Sequence, residues 1–577
     1  SRVGDPDLST TPSPRRPLGP MKPPARVHRP FEEGAPCCTA QQQLLALALY
    51  LGVCVQLAQR VCMQQVLLGS GGAAAEFGWS NQETGLVLSG FFYGYSLGQI
   101  PGGWAAARWG GRAPMFLLAA ATASSALVPL LAVQGVAAVV AQRVVFGLLQ
   151  SPMWPCTVGL VSRWARPRER SRALAWCGTS FAVGMAGGYP LTGCIMEACG
   201  WRRVFFVYGA AGLLWVPLWH RFGWSTPSGH PRITAAELSS IRQAQADDGT
   251  PIGASAFPSR VPWRAIFATR GVLAVFGVTV TNAFGMGVFV VFAPMYMHQQ
   301  LGFHQERAGL LLSLPVLVSM AASLVAAPIA DSMVARRVSR TRVRKAFALA
   351  SCSGTALCAL MLAAEPGVAV AVAAIVGAQA SHGLLVCGPP VAVLEMTPEY
   401  SSVVIGLDNC LWALFTGLSG TLGGVLLDWG GCPKEGGARP GPSLVSHGAA
   451  AAGGGGLGDQ GATAAGSEAC RGAWRLGFCL AGACILAGGV AYALLGSAEI
   501  LRLGDRDGGG GESPRASGQE ARLGLLQCPD SESDSSSGSS CAESSFPSRQ
   551  REDFESDSSG GWSCAESSVP SRQREGQ

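Results

Sequence analysis

An arginine stands inside an apolar stretch that runs Ala141-Gln142-Arg143-Val144-Val145-Phe146-Gly147-Leu148-Leu149-Gln150 and continues as Ser151-Pro152-Met153-Trp154-Pro155. A guanidinium at bilayer depth costs roughly 2.5–3.5 kcal/mol on insertion scales, so an intramembrane arginine needs a partner. Gln150 lies seven residues on, about two turns or ~10 Å along the same helical face. That face offers a permanent cation and a neutral amide to whatever lies inside the bundle, which is the chemistry of anion recognition. The sequence shows no phosphate loop, metal cluster or nucleophile motif, so no enzyme activity and no cofactor are expected.

The elements that must position Arg143 follow from composition. The chain of 577 residues is 48% hydrophobic and only 14% charged. Soluble domains carry about 25% charged residues, so this composition belongs to a membrane class. The formal charge of +6 is too small to suggest a nucleic-acid partner. Cysteines such as Cys54, Cys62, Cys156 and Cys352 fall singly within apolar runs, where a thiol packs as a small hydrophobe. Twelve apolar stretches lie near 44–68, 82–104, 113–133, 136–161, 173–195, 203–221, 270–295, 308–331, 346–364, 367–390, 402–427 and 474–496. Each is close to the ~20 residues that a ~30 Å hydrocarbon core requires. Backbone amides in lipid must bond within their own segment, so the expected fold class is an all-α membrane protein with twelve transmembrane helices.

Residues 1–40 are proline-rich and read as a disordered cytosolic tail. Two six-helix halves, 41–221 and 263–500, flank a central loop at 222–262. The Gly/Ala-rich stretch 429–470 reads as too flexible to fold, with Cys432 and Cys470 bracketing it and able to form a disulfide if their side is oxidising. Residues 501–577 form a Ser/acidic tail in which a unit starting at Glu532 recurs at Glu555. Arginines cluster after the second, fourth and eighth spans, with Arg202 and Arg203 the main exception on the other side. The positive-inside rule then places both termini and the central loop in the cytoplasm.

The halves repeat one another. Gly103-Trp104-Ala105-Ala106-Ala107-Arg108-Trp109-Gly110-Gly111-Arg112 follows the second span, and Ala327-Pro328-Ile329-Ala330-Asp331 with Arg336 and Arg337 follows the eighth, with Ala107 and Asp331 in register. Two repeated halves related by an axis along the membrane normal describe a rocking transporter with a midplane site. The glycine/arginine loop resembles the signature of the major facilitator superfamily. Further segments resemble its anion:cation symporter branch, which contains sodium/phosphate cotransporters, sialin and the vesicular glutamate and nucleotide transporters. They include Glu76-Phe77-Gly78-Trp79, Gly90-Phe91-Phe92-Tyr93-Gly94-Tyr95, Gln99-Ile100-Pro101-Gly102-Gly103, Gly229-His230-Pro231, Pro262-Trp263 and Thr397-Pro398-Glu399-Tyr400, within roughly 44–500.

The resemblance implies that Arg60 faces the central cavity and that Arg143 holds an anionic substrate. Gln59 and Gln150 stand where proton-coupled relatives commonly carry carboxylates, and an amide takes up no proton near neutral pH. Ala107 replaces the usual aspartate of the first loop, leaving Asp331, with Gly103, Arg108 and Arg112, as the gating set. Tyr95, Gln99, Trp154 and Tyr296 are candidates for hydrogen bonds or a stacking surface, although aromatics in spans more often serve packing. Span seven offers Asn282 but no cation. His382 and Asp408, beside Asn409, are the two titrating candidates inside the second half. A neutral ring bonded to a carbonyl is as good a reading of His382, and capping or pairing is the favoured reading of Asp408. The expected activity is secondary-active transport of an organic anion, nucleotide-like and driven by membrane potential. The alternatives are sodium- or proton-coupled phosphate transport and a receptor-like paralogue that moves nothing. Expected partners are a small anion, the lipid bilayer and either coupling cation.

Overall fold

The computed structural model describes residues 40–69, 71–166, 170–247, 263–303, 305–397, 400–434 and 457–499. The expectations for the two terminal tails and for most of 429–470 lie outside the described residues. All described residues belong to one unit, 1–505.

Among the described residues, eight helices are long and apolar enough to cross a membrane: Ala40–Val66, Val136–Trp164, Arg270–Gln299, Arg307–Ala335, Arg340–Ala363, Val368–Met396, Val403–Trp429 and Glu468–Leu495. A ninth crossing is the pair Arg112–Ala126 and Val128–Gln134, bent by 48°. Pro129 at the start of its second piece supplies no amide hydrogen for the first turn, which accounts for the break. Three further helices are long enough but less apolar: Asn81–Trp109, Arg170–Cys199 and Trp201–Phe222. In chain order these make twelve spans. Span four is interrupted at Ser151 and Pro152. Span ten changes to a 3-10 turn at Leu384–Cys387 before Gly388 and Pro389.

Two segments differ from the sequence reading. The central loop contains a helix, Ala235–Asp247, opened by reciprocal hydrogen bonds between Thr234 and Glu237. The twelfth helix begins at Leu457, inside the stretch expected not to fold. Its alanines, Ala462, Ala464 and Ala465, are strong helix formers even beside glycine. Cys432 and Cys470 are joined by a disulfide, which ties the end of span eleven to span twelve.

Glycine sets the position of span two. At Gly94 a Cβ would stand 1.9 Å from the Val144 carbonyl oxygen of span four, and at Gly98 it would stand 2.1 Å from Ser151 Oγ. In return, a Cβ at Gly147 would stand 2.1 Å from the Phe91 carbonyl oxygen. Spacing by four puts Gly90, Gly94 and Gly98 on one helix face, and small residues there let two backbones touch where lipid gives no hydrophobic drive. The opposite face of span two meets span eleven in the other half, where a Cβ at Gly85 would lie 2.6 Å from the Gly420 carbonyl oxygen.

Cross-half hydrogen bonds concentrate at the end carrying the disulfide. The Asp428 carboxylate accepts from the Asn81 and Gln82 amides at 3.0 and 2.8 Å, capping the start of span two from span eleven. Asn81 Nδ2 donates to the Cys432 carbonyl at 3.1 Å, and Gln64 Nε2 donates to the Val290 carbonyl at 2.9 Å. Deeper in, near the middle of span two, Tyr93 and Thr421 hydroxyls lie 2.7 Å apart, and Ser96 Oγ donates to the Cys410 carbonyl at 2.9 Å. The Arg202 exception to the charge bias is also explained at this end. Arg202 is paired with Glu76, and that pair with the Trp201 indole holds the Glu76 carboxyl below the usual carboxylate range.

At the opposite end each half is knitted to itself. The Arg112 guanidinium lies 3.9 Å from the Trp224 ring centroid, and Trp164 Nε1 donates to the Trp224 carbonyl at 2.8 Å. Gly110, at φ +75°, makes the turn before Arg112 that a side chain would strain. In the second half Arg344 makes a two-pronged pair with Glu395, at 3.1 and 2.8 Å, and donates to the Cys387 carbonyl at 3.1 Å. The two side chains are 7% and 14% exposed. Asp331, expected to act with the arginines here, is exposed and joins no ion pair among the described residues.

Two stability outcomes follow. Gly94→Val should lower the melting temperature of the detergent-solubilised chain, with a loss of about 1–3 kcal/mol from overpacking, whereas Ala at the outward-facing Gly187 should have little effect. Glu395→Gln should cost about 3 kcal/mol by stranding the Arg344 cation, and the double change with Arg344→Met should recover much of that loss in the same melting assay.

Candidate anion site

The glycine contacts decide what Arg143 can reach. A Cβ at Gly90 would lie 3.1 Å from the Arg143 Cβ, so span two leaves room for the arginine to pass. Arg143 is 2% exposed. Its Cζ stands 4.9 Å from the Phe146 ring centroid and 5.5 Å from that of Phe91. Arg60, half-buried in span one, has its Cζ 4.5 Å from Phe91, 5.0 Å from Phe92, 5.6 Å from Tyr95 and 6.0 Å from Trp412. Phe91 is therefore shared by both guanidiniums. Tyr95 stacks on Phe91 at 5.5 Å between centroids, and Trp412, from the other half, meets Phe92 edge-on at 6.1 Å.

No carboxylate pairs with either arginine among the described residues, and Nε and Nη1 of Arg143 have no hydrogen-bond partner. Ring faces attract a cation by about 0.5–2 kcal/mol each. Removing a charge from water costs several kcal/mol even after relaxation, so the rings offset only part of that. What the pair lacks is negative charge, and the planar fork of a guanidinium suits carboxylate or phosphate oxygens two at a time.

The amides lie behind the arginines. Gln150 Nε2 donates to the backbone carbonyl and the side-chain oxygen of Gln56, at 3.1 and 3.2 Å, while Gln150 Oε1 has no donor. Gln56 donates to Thr122 at 3.0 Å, and Thr122 donates to Gln59 Oε1 at 3.3 Å. Gln59 Nε2 donates to the Tyr208 carbonyl at 2.8 Å. Gln59 and Gln150 thus belong to one buried chain of neutral groups linking spans one, three, four and six. Neither makes a hydrogen bond to an arginine.

The remaining candidates are spread out. Asn282 is 1% exposed and has the Cys352 thiol of span nine as its polar neighbour, and His382 Nδ1 is unpartnered. Asp408 has Thr279 as its polar neighbour and one oxygen without a donor, and Asn409 beside it is half-buried. Gly103 is buried, and Arg108 is exposed at the end of span two. Gln99 Nε2 donates to the Ser151 carbonyl at 3.4 Å. Trp154 packs on Phe181, and Tyr296 packs on Trp474 and Phe478, so their rings serve packing. Sequence reasoning missed Phe91, Phe92 and Trp412 as walls of the site. The first two stood within a motif already noted, but apolar rings carry no sign of which cation they will face.

The Major Facilitator Superfamily profile matches residues 49–420. The chain is 30% identical over 339 residues to vesicular glutamate transporter 1 of Xenopus tropicalis, covering 58% of each protein. It is 31% identical over 348 residues to vesicular glutamate transporter 1 of Bos taurus, covering 58% of this chain and 60% of the relative. The chain thus spans less than two thirds of the length of these relatives. Among solved structures, a bacterial homologue of the human lysosomal transporter Spinster, inward-facing and unoccupied, superposes with a TM-score of 0.58 at 15% identity, covering 79% of this chain and 98% of that one. The profile match over most of the spans, on a fold of twelve helices in two halves, makes this chain a multi-pass membrane protein of the Major Facilitator Superfamily.

Proposed function

We propose that the chain is a secondary-active transporter of an organic anion, working by alternating access, with Arg60 and Arg143 as the substrate-binding cations. The observation that carries this reading is the pair of guanidiniums around Phe91 with no carboxylate partner among the described residues. The likeness to proteins named vesicular glutamate transporters supports an organic anion and the anion:cation symporter branch. The aromatic wall of Phe91, Phe92, Tyr95 and Trp412 favours a substrate with a carbon skeleton over bare phosphate.

Trp412 comes from the second half, whereas both arginines come from the first, so an anion at Arg60 is touched from both sides. The seal at the disulfide end, with the arginine-rich loops at the other, supports a conformation closed on the non-cytoplasmic side with both termini cytoplasmic. The membrane potential is a sufficient drive for a multiply charged anion, at about 2.3 kcal/mol per charge per 100 mV. Gln150, an amide held by Gln56, supports a first half that takes up no proton of its own.

Proteoliposomes holding the full chain, under an imposed potential and no sodium or pH gradient, test this with labelled glutamate, a nucleoside phosphate and inorganic phosphate. Wild type should accumulate an organic anion. Arg143→Ala should lower the rate about 30-fold or more, the effect of stranding about 2 kcal/mol of charged contact, and Arg143→Lys should recover little of it. Uptake of phosphate alone, with a sodium requirement, would move the assignment to a phosphate cotransporter. Binding without uptake would make the chain a receptor.

A further inference from the structure

The second half holds a cavity that the anion site does not use. It has a volume of about 350 Å³ and lies between spans seven, eleven and twelve, toward the end that carries the disulfide. Val288 and Phe292 of span seven, Ser419 and Gly423 of span eleven, and Trp474 and Gly477 of span twelve line it. Pockets for small ligands run from roughly 300 to 1,000 Å³, so this one has room for a molecule rather than a water. Leu422, Trp429 and Leu480, which also line it, are exposed, and on spanning helices such side chains face lipid.

Two of the lining side chains carry a buried polar atom with no partner among the described residues. Trp474 is 6% exposed and Ser419 is 2% exposed, and neither the indole Nε1 nor the Oγ has a hydrogen bond. Buried polar groups are nearly always satisfied, so each orphan marks a missing partner. An indole N–H can only donate, so what Trp474 lacks is an acceptor. A saturated acyl chain has none to give.

Depth and shape narrow the choice of ligand. Trp429, 80% exposed at the end of span eleven, is the kind of ring that sits at the membrane interface. A Cβ at the next residue, Gly430, would stand 2.4 Å from that of Ala473, so Trp474 lies level with that interface. Ser419 is ten residues before Trp429, about 15 Å deeper along the helix. Between them the walls are bare. A Cβ at Gly423 would stand 2.3 Å from the Phe292 ring, whereas one at Gly477 would meet nothing outside its own helix nearer than Leu426 Cδ2 at 3.6 Å. The space is a slot beside a helix face without side chains.

We propose that this slot binds a sterol, whose hydroxyl accepts from the Trp474 indole at the interface while its flat body lies along Gly477 toward Ser419. A rigid body gives up little freedom on binding, and a flat one meets the bare face and the rings over its whole length. A second hydroxyl on the sterol tail would reach Ser419. Two of the three helices it touches also bond to the first half, span seven through the Val290 carbonyl and span eleven through Asp428. A bound sterol therefore braces the face on which the first half closes. The site does not depend on the anion reading.

The full chain in phosphatidylcholine liposomes with a photoreactive cholesterol analogue tests this. Label should fall in spans seven, eleven and twelve around the slot, and excess cholesterol should displace it better than the epimer with an inverted hydroxyl. Trp474→Phe keeps a ring but removes the N–H, and should weaken labelling about five-fold, the effect of one hydrogen bond. Gly477→Leu should abolish labelling. In sterol-free detergent that variant should melt no lower than wild type, because leucine fills the slot, which shows that it folds. Added cholesterol should raise the melting temperature of wild type and leave Gly477→Leu unchanged. A tail-hydroxylated sterol should compete better than cholesterol, and Ser419→Ala should erase that advantage. Label spread evenly over the lipid-facing helices overturns the proposal, as does label that cholesterol cannot displace or that persists in full in both Trp474→Phe and Gly477→Leu.

Discussion

Two positive charges held at membrane depth, with no negative one beside them among the described residues, govern the rest of this structure. Arg60 and Arg143 come from spans one and four, and what they share is the Phe91 ring of span two. The ring faces lower the cost of keeping the charges there but do not cancel it. A protein that balanced them with its own aspartate would be more stable and would have nothing to offer an anion. The unpartnered Nε and Nη1 of Arg143 are the residue of that choice.

Span two is what makes the arrangement geometrically possible. On one face its glycines bring its backbone against span four, near enough that Phe91 reaches the arginine. On the other face it lies on span eleven, from which Trp412 completes the wall around Arg60. The same helix is capped by Asp428 from span eleven. The element that builds the site within the first half is therefore also the main contact with the second. Motion of one half against the other cannot leave the site unchanged.

Much of the fold was legible because lipid leaves the backbone few options: an apolar run of about twenty residues must be a helix. All twelve spans fall close to their expected places. Three of them read as less apolar because glycine and polar residues face protein, as in span two. The arginines were legible for the same reason, since a charge inside such a run has few innocent explanations. Glu395 was not, because it sits near the edge of span ten, where an acid reads as belonging to the loop. Its pairing with Arg344 depends on a long-range approach that no local pattern encodes. Gln59 and Gln150 were visible as polar positions, but not their orientation, which is set by Gln56 and Thr122 on neighbouring turns and spans. The helix at Ala235–Asp247 was hidden by the polarity of its surroundings, although its Thr234–Glu237 cap is written in the sequence.

The covalent tie between Cys432 and Cys470 carries a mechanical consequence. Cys432 also presents its carbonyl to Asn81 at the head of span two. Any swing that parts the halves at this end must break that hydrogen bond while the sulfur link holds. Span eleven cannot peel away alone; it has to bring span twelve with it. At this end spans eleven and twelve therefore behave as one unit, held to span two by a bond that can be broken and to each other by one that cannot.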